Sequence, residues 1–417
     1  TICIKDCICI AGIPQIMGTD CWKPWTPSAD ATVVTRLLEA GAHIIGTSNC
    51  EQLCAFTGSH TSCLGNVHNP YFHGFSAGGS SSGSAALVAA GEADMALGAD
   101  QGGSIRIPAA MCGLVGLKPT FGLVPYTGIT SNEYTLDHVG PMTRTVEENV
   151  KMLEVLAGVD TFDDRQAAAP SITKYVFKEP RKLNIGILKE AFDNPFLEAS
   201  MKSMLLSAID KFNDLGYNVV EVSVPMHSQA PEIWSVVERI SGLHSRLGRA
   251  SGRRLYSDPE FFKHTYPLGQ KFFSKAPVNV RNSIINGLYF EEQFPGIFAK
   301  ATNLVLKLRS EYNKALSKVD LLIAPTTPFP APPHGPRVGS PKDRVSSTFG
   351  IKTNTCPFNI SGNQALNLPN GFLPDKQSPS NKLPVGMQII GRYFDESTIY
   401  TAAYAWELHY NWRLNIK

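Results

Sequence analysis

A chain of 417 residues with 43% hydrophobic and 18% charged residues has ample material for a core, which sets aside disordered and fibrous classes. Its formal net charge of +2 gives no pull toward nucleic acid or a membrane surface, and no apolar run is long enough to span a bilayer. Nine cysteines, an odd number without the paired spacing of a zinc site, do not read as a disulfide framework or a metal module, and neither H-E-x-x-H nor G-x-x-x-x-G-K-[ST] occurs.

In chain order, the first element is a short apolar strand, Thr1-Ile2-Cys3-Ile4-Lys5, followed by Asp6 and an Ala11-Gly12-Ile13-Pro14 turn. Cys3 in that strand reads as a small buried hydrophobe. Helical spacing of Val33, Leu37 and Leu38 predicts a helix over 29–40 with a stop at Gly41, and a strand over 42–46 follows. Asn49, Glu51 and Asn69 then lead to a first serine loop, Gly78-Gly79-Ser80-Ser81-Ser82-Gly83, which runs into a small apolar helix over 84–90 ended by Gly91. The apolar run 95–99 ends at Asp100, where Gln101-Gly102-Gly103-Ser104 forms a second serine loop. Its successive backbone N–H groups, free of side-chain obstruction, suit a developing negative charge. Pro108 fits the first turn of another short helix.

Taken singly, these features are bland: a serine-glycine run is usually a flexible loop, and a lysine near a terminus a solvated charge. Gly79 to Gly83 also satisfies G-x-S-x-G, but 73–77 makes a poor preceding strand for a nucleophile elbow. What sets the stretch apart is the conjunction of GGSSSGSAA, then DQGGSIRIPAA with the serines 24 residues apart, then GLKPT, with IKD and AGIP ahead of both.

That conjunction resembles the amidase signature family. The resemblance implies Ser104 as acyl-forming nucleophile, Ser80 after a cis peptide as proton shuttle, and Lys5 as base. It also implies an oxyanion hole from the backbone N–H groups of Gln101, Gly102, Gly103 and Ser104, with Ser81 and Tyr126 as substrate-binding candidates. The chemistry is self-consistent: a serine hydroxyl is a weak nucleophile until a base takes its proton, and lysine is that base only when its pKa falls well below about 10.4. Burial beside Ile2, Ile4 and Ile8 is expected to push it that way. His138, in LDHVGP, is expected to support structure.

From 180 to about 320 the motifs thin to a strand over 183–187, a helix over 197–215 and a strand over 220–224. This variable, substrate-side region carries Trp234, Tyr266, Phe272, Tyr289 and Phe294, read individually as core, and the basic group Arg246, Arg249, Arg253 and Arg254, read as a solvated face. The resemblance resumes at Leu321 to Pro328, at Pro357 to Pro369 and at Leu383 to Gly391, and ends in a helix after Asp395.

Matching blocks at both ends imply one α/β domain over 1–417, with a single large mixed β-sheet flanked by helices on both faces. The implied function is hydrolysis of a carboxylic amide to the acid and ammonia or amine, without metal or cofactor. The wording is most similar to broad-specificity amidases of small amides. The alternatives are a glutaminase-type subunit of a tRNA-dependent amidotransferase, or an inactive scaffold. Ser82, where glycine is common, and Gln101, where threonine or isoleucine is common, leave substrate choice open. The partner expected is a small-molecule amide, with no nucleic acid and no membrane, a homodimer as an assembly to test, and a cytoplasmic location. The family normally has a helical segment ahead of the lysine strand; without one, Lys5 is expected to gain access to water.

Overall fold

The computed structural model describes residues 1–166, 182–247, 259–265, 269–376 and 379–413. Twelve strands occur among them: β1 (Ile2–Lys5), β2 (Ile44–Ser48), β3 (His68–Asn69), β4 (Phe72–Ser76), β5 (Met95–Asp100), β6 (Val115–Lys118), β7 (His138–Thr143), β8 (Asn184–Leu188), β9 (Asn218–Val222), β10 (Leu321–Pro325), β11 (Ala365–Pro374) and β12 (Lys382–Ile390). Ten of them form one sheet in the order β2-β1-β5-β7-β6-β11-β12-β10-β8-β9, and β3 and β4 make a separate hairpin. The β2-β1-β5 end is parallel, the middle is antiparallel, and β10-β8-β9 is parallel again.

Alternation of side chains along the strands feeds separate core clusters on the two faces. On β10, Leu321 and Ile323 join the helices Ala199–Asp214 and Glu396–His409, whereas Leu322 and Ala324 join Ala230–Arg246 and Ile297–Leu316. The expected mixed sheet between helical layers is therefore the fold. The thinly marked excursion after 180 is part of it, since β8 pairs with β10. The first helix is shorter than its spacing suggested, Thr32–Glu39, and leaves Leu38 47% exposed.

Strand β1 is buried along its whole length because it lies between two parallel neighbours, which is why ICIK reads as nearly continuous apolar text up to its lysine. Parallel pairing of β1 with β5 brings the carboxyl ends of both strands to one edge of the sheet, the usual place for a site in open α/β sheets. Lys5 ends the first, and Asp100 ends the second and opens the Gln101–Ser104 loop. Between them, the Ser82–Ala90 helix stops at Gly91 in the left-handed region (φ 80), as its glycine predicts.

Candidate active site

Lys5, Ser80 and Ser104 are all buried at this edge. Lys5 Nζ donates to Ser80 Oγ at 2.8 Å and to the carbonyl of Ala99 at 3.1 Å. The Gly79–Ser80 peptide is cis. The two serine loops touch directly, the Ser81 N–H donating to the Ser104 carbonyl at 3.3 Å. Ser104, Gln101 and Gly102 line a cavity of about 520 Å³ whose walls include Phe56, Trp234 and Phe349.

The Gln101–Ser104 loop is held from behind. Arg106 is fully buried and donates five hydrogen bonds, to Asp100 Oδ2 and Oδ1 (3.0 and 3.2 Å), the Thr355 carbonyl, Gln388 Oε1 and Asn359 Oδ1. Burial alone would raise the Asp100 carboxyl; the adjacent Arg106 and Asn359 reverse this and hold it well below the usual range. Asp100 Oδ1 also accepts the Gly103 N–H at 2.6 Å. That contact corrects one expectation: the Gly103 N–H is already taken, so the expected oxyanion donors reduce to the candidates Gln101, Gly102 and Ser104. Gly103 is needed for its backbone, since φ is +132° and an added Cβ would lie 2.4 Å from Thr355 Oγ1.

Neither substrate-binding candidate lines the cavity. The Ser81 hydroxyl is engaged by strand β5, donating to the Ala99 carbonyl and accepting the Ala99 N–H, so it braces the loops and is absent from the cavity lining. Tyr126 is also absent from the lining; it is buried with its ring 4.7 Å below the Arg165 guanidinium. Trp234, read from sequence as core, is buried in the core of one sheet face and also forms cavity wall, donating from Nε1 to the Gln101 carbonyl at 2.8 Å. Lys352 adds a cation to the same wall, 4.9 Å from the Trp234 ring, with burial drawing its ammonium below the usual range. Only the Gly-Gly-Ser context hinted at an aromatic here, because Gly102 leaves the space Trp234 fills.

Lys5 has neighbours that the strand pattern did not predict. It is completely buried, so the expected access of water does not arise. Around it, however, lie Cys7, Cys50 and Cys54, the last also lining the cavity. Hydrogen bonds from Cys50 and Cys7 draw the Cys54 thiol well below its usual range, with Lys5 adding to the effect against burial. Burial drives Lys5 toward the neutral amine, but the negative charge favoured at Cys54 outweighs it and holds the ammonium above its ordinary pKa, while the Cys7 and Cys50 thiols are themselves raised well above their usual range. The expected net fall is thus corrected: hydrocarbon neighbours alone would lower it, and sulfur neighbours do not. Cys3 behaves as expected, a buried thiol pushed up to about 12.

His138 is buried on β7 with Nδ1 2.7 Å from the Leu136 carbonyl, and burial together with Lys118 keeps it neutral, far below its usual range. Asn69 braces the hairpin to the Arg106–Met111 helix through the carbonyls of Ser76 and Met111. Asn49 accepts from Ser62 Oγ at 2.6 Å, and Glu51 accepts the Thr61 N–H at 2.9 Å. Among the described residues, no group of three or more His, Cys, Asp or Glu is placed to hold a metal ion. No described helix is long and apolar enough to cross a membrane. Tyr266, Arg249, Arg253, Arg254 and the side chain of Arg246 lie outside the described residues.

Comparison with known proteins places this geometry. A family model described as Amidase matches residues 1–400. An enantioselective amidase from Rhodococcus rhodochrous is 38% identical, the match covering 98% of this chain and 79% of that protein. A glutamyl-tRNA(Gln) amidotransferase subunit from Methanosarcina acetivorans is 35% identical over 97% of this chain and 83% of its own length. The solved structure of a glutamyl-tRNA(Gln) amidotransferase subunit from Thermotoga maritima superposes with a TM-score of 0.79 at 28% identity, covering 98% of this chain and 82% of that one.

Proposed function

The chain belongs to the amidase family, and from that premise we propose that it hydrolyses a carboxylic amide through an acyl–Ser104 intermediate, releasing ammonia or an amine. The observation that carries this reading is the buried 2.8 Å hydrogen bond from Lys5 Nζ to Ser80 Oγ, one residue from the Ser81 N–H that holds the Ser104 carbonyl.

In the proposed sequence Ser104 Oγ attacks the carbonyl carbon, its proton passes to Ser80 Oγ, and the Ser80 proton passes to a neutral Lys5. The N–H groups of Gln101, Gly102 and Ser104 face the oxyanion, each such donor contributing about 3 kcal/mol to lowering the barrier. Collapse breaks the C–N bond as the proton returns by the same route to the leaving nitrogen. Water then attacks the acyl-serine, giving its proton back through Ser80 and regenerating the free hydroxyl. The cavity volume and its Phe56, Trp234 and Phe349 walls support a small aliphatic or aromatic amide as substrate.

A second reading, a glutaminase that delivers ammonia to a partner chain, rests on the 35% identity to the Methanosarcina acetivorans protein. Assaying ammonia release from benzamide, acetamide and glutamine separates the two, since glutamine turnover that requires a co-purifying second chain favours the glutaminase. Fluorophosphonate labelling followed by peptide mass spectrometry tests the nucleophile. Ser104→Ala is expected to lose both label and turnover; a label that persists on another serine overturns the assignment, and no turnover of any amide favours a scaffold.

A further inference from the structure

Beside the active cavity lies a second one of about 430 Å³, and Phe56, Asn279 and Val345 stand in the walls of both. Its lining carries four cations, Lys275, Arg281, Arg337 and Arg344, against a single carboxylate, Asp20. Two of the cations are committed. Lys275 is 3.4 Å from Asp20, and Arg337 donates to the carbonyls of His60 (3.0 Å) and Ser62. Glu51 Oε2 accepts the N–H and the hydroxyl of Thr61, a residue of this lining.

Arg281 and Arg344 are different. Among the described residues neither guanidinium has a carboxylate at ion-pair distance, and Arg281 Nε is buried with no hydrogen-bond acceptor. A buried donor without an acceptor is rare in a folded chain, and repulsion among clustered cations adds to the cost of the arrangement. A planar guanidinium fork matches one chemistry above others, the paired oxygens of a carboxylate or phosphate. The two arginines come from separate elements, the Val278–Gln293 helix and the Pro341–Ser346 helix, so the tertiary fold creates the site.

We propose that this second cavity binds a small oxyanion, a carboxylate or phosphate group, through the guanidiniums of Arg281 and Arg344. The shared walls allow two sources: the distal carboxylate of an amide held in the active cavity, or a free anion from solution. Binding itself needs no turnover, so the site stands or falls separately from amide hydrolysis.

Calorimetric titration of the full chain at low salt with inorganic phosphate, and separately with succinate, reads the site directly. Saturable binding is expected, weakened about tenfold or more in Arg281→Gln and in Arg344→Gln. Added salt is expected to weaken it as well. Lys342→Gln, which removes an exposed cation of the same short helix outside the lining, is expected to leave it unchanged. Arg281→Lys and Arg344→Lys keep charge and stem while losing the fork, and an intermediate loss is expected in folded protein. The source is read from kcat/KM for an amide bearing a distal carboxylate against its neutral isostere. Preference for the charged amide that falls in Arg281→Gln, with phosphate competing, marks the substrate's own carboxylate. An unaltered preference with weakened phosphate binding marks a free anion. No saturable binding, or equal affinity in the double Gln variant, overturns the proposal.

Discussion

Lys5 is pulled two ways, and sulfur rather than hydrocarbon sets the balance. With the ammonium favoured by the charge at Cys54, acylation is expected to speed up as pH rises and the amine becomes neutral, because only the neutral form accepts a serine proton. Cys54→Ala removes the largest of the opposing charges, so the acid limb of the kcat profile is expected to move to lower pH. A limb that stays in place or moves upward refutes this origin for the shift. Comparing single substitutions isolates the proton route. Ser80→Ala and Lys5→Ala are each expected to cost about 10²-fold or more in kcat, whereas His138→Ala, whose ring is already neutral and turned to a backbone carbonyl, is expected to cost far less. A dead histidine variant beside a working Lys5→Ala would reassign the base.

At the scale of elements, the β5 turn and the Arg106–Met111 helix act as one unit, tied by Asp100, Arg106 and Asn359. Every donor of Arg106 is used, so removing its carboxylate leaves a buried, uncompensated cation. Asp100→Ala is expected to lower stability by about 3–5 kcal/mol in chemical denaturation, and Arg106→Met with Asp100→Ala together to cost less than the sum of the two. Additive losses would show that the pair is not coupled. The pH dependence has a definite sign. A carboxyl depressed in the folded state contributes stability above its unfolded pKa of about 3.9 and loses it as pH falls below that value. The difference between wild type and Asp100→Ala is therefore expected to shrink below about pH 4.

For the whole molecule, the sheet sets both rigidity and the legibility of the site. β9 and β2 are its edges and are partly exposed, while β5, β7, β6 and β11 are buried throughout most of their length. Native-state hydrogen exchange is expected to release β9 amides first and β5 and β7 amides last, and the opposite order would mean that the part of the sheet carrying the candidate site is the weak part of the fold. Much of this was legible in the sequence by itself: the strand ending at Lys5, the helix stopped by Gly91, both glycine-serine loops, and the mixed sheet implied by matching blocks at the two ends. The strand, the helix and the loops are local, written in contiguous periodicity and in glycines at positions that need them, whereas the sheet was implied by the family resemblance. What only the tertiary structure decided joins residues far apart in the chain. Lys5 meets Ser80 across 75 positions, and its sulfur cluster gathers residues 7, 50 and 54. Trp234 reaches Gln101 across 133 positions, and Arg281 and Arg344 meet in one cavity. Periodicity records which side of an element faces inward, but not what waits there. The occupation of Gly103 by Asp100, the withdrawal of Ser81 and Tyr126 from the cavity and the upward pull on Lys5 therefore depended on packing.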